Sequence, residues 1–165
     1  MKIRLLSIFA AMLFGTPASA QFTTSSVFLE VGGAAPYYSL NYARTVFTGR
    51  YWSGQFRVGA GVLEQTLAVP LGFTLLGGRK DHHPELTMAI TPVSEGLRFW
   101  DRDQSDFKVD LVLGLCYRFQ PARGRFHVSV GGFPYIRLDP TPTRLSEKKP
   151  SLGFWPGFSV GRLFK

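Results

Sequence analysis

The sequence predicts an all-β protein: an eight-stranded, up-and-down, antiparallel transmembrane β-barrel, preceded by a cleaved signal peptide. Three observations predict it. The first is the stretch from Phe107 to Phe119, FKVDLVLGLCYRF, in which every odd position is apolar or aromatic. Lys108, Asp110 and Arg118 fall on even positions, with Val112, Gly114 and Cys116. Side chains alternate along a strand, so a strand here has one continuous apolar face and one mixed, charged face. A helix would scatter the same charges. The apolar face runs for about thirteen residues, close to what a tilted strand needs to cross a bilayer. The second observation is that 45% of residues are hydrophobic and 15% aromatic, without helical periodicity. The third is that beyond the start no apolar run reaches the roughly eighteen residues of a transmembrane helix.

The start reads as a targeting segment. Lys2 and Arg4 are basic, Leu5 to Phe14 is a short apolar core, and Ala18-Ser19-Ala20 is a small-x-small cleavage site. The cut is expected before Gln21. Residues 1–20 are then the signal peptide, and residues 21–165 one outer-membrane barrel domain. No Cys follows the cut, which argues against a lipoprotein. Lys2 and Arg4 leave with the peptide and no acid does, so the formal net charge of +8 becomes +6. The acidic partner such a charge implies for an exported barrel is lipid phosphate or lipopolysaccharide. No nucleic-acid motif appears, and the single cysteine, Cys116, excludes an internal disulfide.

The elements follow in order. Val27, Leu29 and Val31 alternate with Phe28, Glu30 and Gly32 in a first strand. Gly33-Ala34-Ala35-Pro36 is a tight turn. Tyr37 to Phe47 is a second strand, with Tyr38, Leu40, Tyr42 and Val46 outward. Arg44 joins that apolar row near its end, where a long side chain snorkels to the interface. Tyr51 to Leu63 turns Trp52, Phe56, Val58, Ala60 and Val62 outward, and Ser53, Gln55, Arg57, Gly59 and Gly61 inward. The fourth strand carries Leu67, Val69, Leu71, Phe73 and Leu75 outward, with a bulge or weak spot at Pro70 because proline gives the ladder no donor. Gly77 to Pro84 is a polar turn. The fifth strand has Leu86, Met88 and Ile90 outward, Glu85, Thr87 and Thr91 inward, and is followed by a loop from Val93 to Ser105. The Phe107–Phe119 stretch is the sixth strand. Gln120 to Gly124 is a turn. Arg125 to Leu138 sends Phe126, Val128 and Val130 outward and Arg125, His127, Ser129 and Gly131 inward. Asp139 to Pro150 is a loop, and Ser151 to Phe164 closes the barrel. An even strand number puts both termini on one side, the periplasmic side for such a barrel, and the two long loops on the other, with the loops after the first and third strands breaking that trend by being short.

The inward rows are charged. Eight strands leave an interior that side chains just fill, so the charges must pair, since an unpaired buried charge costs roughly 3–5 kcal/mol. The expected lumen network joins Glu30, Glu85 and Asp110 to Arg57, Arg118 and Arg125. The expected interface aromatics are Tyr42, Trp52, Tyr117, Phe119 and Phe164. The inward glycines either make room for large neighbours or leave a small cavity.

Several motifs resemble a known family. Phe28-Leu29-Glu30-Val31-Gly32-Gly33 and Tyr38-Ser39-Leu40-Asn41-Tyr42-Ala43-Arg44 resemble the opening hairpin of small outer-membrane β-barrel proteins of Bacteroidota-type Gram-negative bacteria. Val69-Pro70-Leu71-Gly72 is similar to that family's central strand. Tyr117-Arg118-Phe119-Gln120-Pro121 and Trp155-Pro156-Gly157-Phe158-Ser159-Val160-Gly161 are similar to its later ones. The resemblance implies an outer-membrane barrel of undetermined biochemical role. Ala43 departs from it, standing where the family usually has Glu. Lys165 departs too, following the aromatic Phe164 that the barrel-insertion machinery would read.

The residues also offer two chemical alternatives. His127 and Ser129 share one strand face and Glu147 lies downstream, in the order used by lipid A deacylases, which are also small barrels; a His beside a Ser can activate it. Alternation aims both residues into the lumen, away from lipid, so the expectation is no enzyme and no catalytic residue. His82-His83 beside Asp81 and Glu85 has the composition of a metal site, but neighbours on a strand point to opposite faces, and neither metal nor cofactor is expected. A soluble lipocalin-like barrel binding an apolar ligand is the remaining alternative, with the apolar rows turned inward. A monomer is expected.

Overall fold

The computed structural model describes residues 24–78, 81–95, 106–121, 123–138 and 150–164. Residues 1–20, read from the sequence as a signal peptide, lie outside the described residues, as do Glu147, Lys165 and the segments 96–105 and 139–149. The strands are β1 (Ser25–Gly32), β2 (Tyr38–Thr48), β3 (Trp52–Leu63), β4 (Thr66–Ala68), β5 (Leu71–Gly77), β6 (His82–Glu95), β7 (Asp106–Phe119), β8 (Phe126–Leu138) and β9 (Ser151–Phe164).

Every pairing is antiparallel, and the order closes on itself: β1 pairs with β2 on one side and β9 on the other. The short β4 and β5 lie end to end between β3 and β6 and act as one stave. The result is a closed eight-stranded antiparallel barrel, with no helix among the described residues. Closure leaves no edge, so the ladder takes up the backbone polar groups all round the wall.

The fourth stave breaks where proline falls. Pro70 cannot donate, yet Val69 N–H donates to the Pro92 carbonyl at 3.0 Å and Gly59 N–H to the Pro70 carbonyl at 2.9 Å. The wall therefore stays sealed across the break. In β2 the register shifts between Thr45 and Phe47, a bulge that leaves both Val46 and Phe47 exposed.

Three boundaries differ from the sequence reading. The turn expected up to Pro84 gives way to strand at His82, and Val93 to Glu95 belongs to β6 rather than to a loop. The reason is the partner: β7 offers an unbroken ladder from Glu95↔Asp106 to His82↔Phe119, and β4 covers the other edge of β6 from Val93 to Glu95. Arg125 precedes β8 and does not enter the barrel.

Alternation decides what each face meets. In β7, Leu111, Leu113, Leu115, Tyr117 and Phe119 are exposed while Asp110, Val112 and Arg118 are buried. In β1, Val27, Leu29 and Val31 are exposed while Ser26, Phe28 and Glu30 are buried. The core is thus the lumen, and the outer wall is an apolar belt.

Candidate functional site

The described residues concentrate their buried chemistry in the lumen, which is built in layers. At the middle, Arg57 on β3 and Glu30 on β1 face each other across β2. Arg57 donates from Nη1 to Glu30 Oε1 at 3.2 Å and from Nη2 to Glu30 Oε2 at 2.7 Å. Its Nη2 also donates to Asn41 Oδ1 at 2.8 Å. Both side chains are nearly inaccessible. The guanidinium lies over the Phe28 ring, 4.9 Å from its centroid. A two-pronged contact of this kind suits the planar guanidinium.

The second pair joins β6 and β7. Arg118 Nε donates to Glu85 Oε2 at 2.8 Å, and its Nη1 to Gln55 Oε1 at 3.3 Å. Thr87 Oγ1 donates to Glu85 Oε1 at 3.2 Å, and the Thr74 and Thr87 hydroxyls bond each other at 2.9 Å. The remaining carboxylate, Asp110, is wholly buried. Arg137 grips it from Nε at 2.7 Å and Nη2 at 2.8 Å. Each of these three buried carboxylates has its own arginine.

Arg137 is the partner that the sequence reading missed, and Arg125 is the correction. Arg125 is exposed at the β7–β8 turn. Antiparallel register puts Arg137 opposite Asp110, so the ion pair forms at the far end of the strand from Arg125. Lys108, also read as inward, pairs with Glu95 at 2.8 Å.

Towards the end opposite the termini, the lumen is capped by the β1–β2 turn. Gly32 and Gly33 adopt φ of +66° and +84°, and Tyr37 follows at +67°. These left-handed residues fold the turn inward, so that Ala34 and Ala35 are wholly buried. Ala34 N–H donates to Glu30 Oε2 at 3.1 Å, tying the turn to the central ion pair. Thr91 Oγ1 donates to the Ala34 carbonyl at 2.5 Å, and Trp155 Nε1 to the Gly33 carbonyl at 2.5 Å. Ala34 packs with Ala89, Val112 and Phe133, and Ala35 with Ala68 and Val93. Trp155 stacks on Tyr135 with centroids 3.9 Å apart.

Phe133 shows what inward glycines are for. A Cβ on Gly114 would stand 2.4 Å from one edge of its ring, and a Cβ on Gly157 2.3 Å from the other. These glycines make room for a large neighbour in the middle of the barrel.

His127 and Ser129 are both buried in the lumen, as alternation requires. They do not bond each other: the Ser129 hydroxyl bonds Ser159 at 2.7 Å, and neither ring nitrogen of His127 has a hydrogen-bond partner. The imidazole instead meets the Phe28 ring edge-on at 5.6 Å. His82 and His83 diverge. The His82 ring contacts Tyr117 and Phe119 on the outer face, and His83 Nδ1 donates to the Gly77 carbonyl at 2.8 Å. Among the described residues no group of acids, His and Cys is arranged to hold a metal ion.

The aromatics read as interfacial are all exposed: Tyr42, Trp52, Tyr117, Phe119 and Phe164. They cluster towards the end that carries the termini, and Phe107 and Tyr38 stand exposed towards the other. A scan against protein-family models and a search of curated proteins both return no match.

Proposed function

We propose that this barrel is an integral outer-membrane protein of a Gram-negative bacterium, exported through a cleaved signal peptide. Its role is structural or interactive, with a lumen filled by paired side chains. The supporting observation is the direction of the rows. Leu29, Leu40, Ile90, Leu115 and Val130 are exposed by 45%, 58%, 54%, 61% and 55%, while charges lie paired inside. Apolar rows of this kind run around the wall. Soluble monomers rarely expose contiguous apolar patches above a few hundred Å², and hydrocarbon is the medium that would cover such a belt. The lumen argues against conduction, because ion pairs, Phe133 and the infolded turn occupy it.

Outer-membrane lipid, including lipopolysaccharide, then contacts the wall, and the barrel-insertion machinery handles the chain during biogenesis. The monomer suffices, since closure leaves no edge to pair. The same reading accounts for the longer segments after β6 and β8 at the end away from the termini, although the β1–β2 and β3–β4 turns at that end are short.

Membrane fractionation combined with heat-modifiable gel mobility tests this. The expected result is a chain recovered with the outer membrane, whose band shifts on boiling as the barrel unfolds. Recovery in the soluble periplasmic fraction would replace the proposal with the lipocalin-like alternative.

A further inference from the structure

Among the described residues, the two ends of the barrel differ in charge. At the end with the termini, Arg44, Arg123, Arg125 and Arg162 are all exposed, and the acid described there outside the lumen is Asp81. The other end carries Glu64 and Glu95, with Lys108 held by Glu95.

Two of these arginines belong to the outward rows themselves. In β2 the row reads Leu40, Tyr42, Arg44, and in β9 it reads Phe158, Val160, Arg162; all six are exposed. Val27 pairs with both Tyr42 and Arg162, and Ser25 with both Arg44 and Phe164. The arginines and aromatics therefore interleave on one outer patch spanning β2, β1 and β9. Tyr42 OH and Ser25 Oγ bond at 3.0 Å, and the Arg162 guanidinium stands 5.8 Å from the Phe164 ring. Beside the patch, Arg162 joins Arg123 and Arg125 around a pocket of about 390 Å³ that Gly124, Leu163 and Phe164 also line. Leu163 N–H donates to the Arg125 carbonyl at 2.6 Å, which fixes the turn against β9.

We infer that this patch binds the phosphate headgroup of an anionic phospholipid in the adjoining leaflet. The inference rests on the membrane reading above. Beyond that, the position of the arginines identifies the ligand. A guanidinium that follows apolar residues in one outward row sits where hydrocarbon gives way to headgroups. Guanidinium groups bind phosphate in a forked, charge-assisted geometry. Three arginines lining one pocket beside the exposed Phe164 and the outward row of β9 match a phosphodiester with its acyl chains running down the wall. Each basic residue near an anionic surface contributes about 1 kcal/mol, roughly a fivefold preference.

The test uses the full chain, purified from membranes in neutral detergent, with phosphatidylglycerol and phosphatidylcholine supplied in equal amounts and retained lipid read by native mass spectrometry. The expected result is a preference for phosphatidylglycerol of at least about tenfold, lost in R44Q/R123Q/R125Q/R162Q. The matching four-lysine variant should keep most of it, because the charge remains. If the glutamine variant does not fold, R44Q/R162Q and R123Q/R125Q are measured separately, and each should lose part of the preference. Equal retention of the two lipids by the unmodified chain, or an undiminished preference in the glutamine variants, would overturn the inference. So would displacement of phosphatidylglycerol by inorganic phosphate at equal concentration, which would mark a site for free anions. Failure of the membrane reading shows up separately, as a chain that does not float with vesicles of pure phosphatidylcholine.

Discussion

Each buried carboxylate is held by a specific guanidinium, and the pairs have consequences that can be measured one at a time. Glu30 serves Arg57 and also accepts from Ala34 N–H. Replacing Glu30 with Gln leaves the Arg57 charge buried, and the expected cost is about 3–5 kcal/mol, read from urea unfolding in detergent or lipid. Combining Glu30→Gln with Arg57→Leu should cost less than the sum of the two single changes, because the second removes the charge that the first leaves unpaired. Strict additivity would mean that the pair is not coupled. The inward direction of Glu30, Arg57, Glu85, Asp110 and Arg118 was legible from alternation alone, which offered acids and arginines as one network without saying which meets which; Arg118 meets Glu85 on the next strand, and Arg57 reaches Glu30 across β2. The partner of Asp110 was not legible. Counting back from the short β7–β8 turn puts position 137 opposite Asp110, whereas Arg125 stays beside the turn. The signal was hairpin register, which fixes which inward residues meet, and not residue type.

The element that alternation could not reveal is the β1–β2 turn. Four small or turn-forming residues say that the chain reverses; they do not say that it reverses into the lumen. What sends it inward is the left-handed backbone of Gly32 and Gly33 above the Glu30 carboxylate. A Cβ on Gly33 would stand 2.5 Å from Glu30 Cδ, at a φ that L side chains resist. Gly33→Ala is therefore expected to destabilise the barrel by about 1–3 kcal/mol, visible as a lower unfolding midpoint. The β7–β8–β9 wall makes a second prediction. Gly114→Ala presses on the Phe133 ring and should cost about 1–3 kcal/mol. Adding Phe133→Leu should relieve part of it, so that the double variant loses less than the separate losses combined. Pro70, by contrast, was readable in advance, since a missing donor is a property of the residue itself. The reach of β6 through Val93 to Glu95 was not, because it is set by β4 and β7, which pair with it from either side.

For the molecule as a whole, closure and alternation together produce an object with an apolar outside and a charged, filled inside. The fold class was legible because a period of two persists through strand after strand and no helical period competes with it. The strand count survived because the interrupted fourth stave still spans the wall. The cap, the neutral pairing of the lumen and the basic rim emerge only when the strands are placed side by side. The central claim is that the outward rows meet hydrocarbon. The most direct measurement puts a nitroxide label on Leu113, in a chain with Cys116→Ser, reconstituted in phospholipid vesicles. Its accessibility to oxygen is compared with its accessibility to a water-soluble nickel complex. High oxygen and low nickel accessibility are predicted, with a label at the buried Thr87 reached by neither. A label at Leu113 that the nickel complex reaches as readily as it reaches one on an aqueous loop would contradict the account.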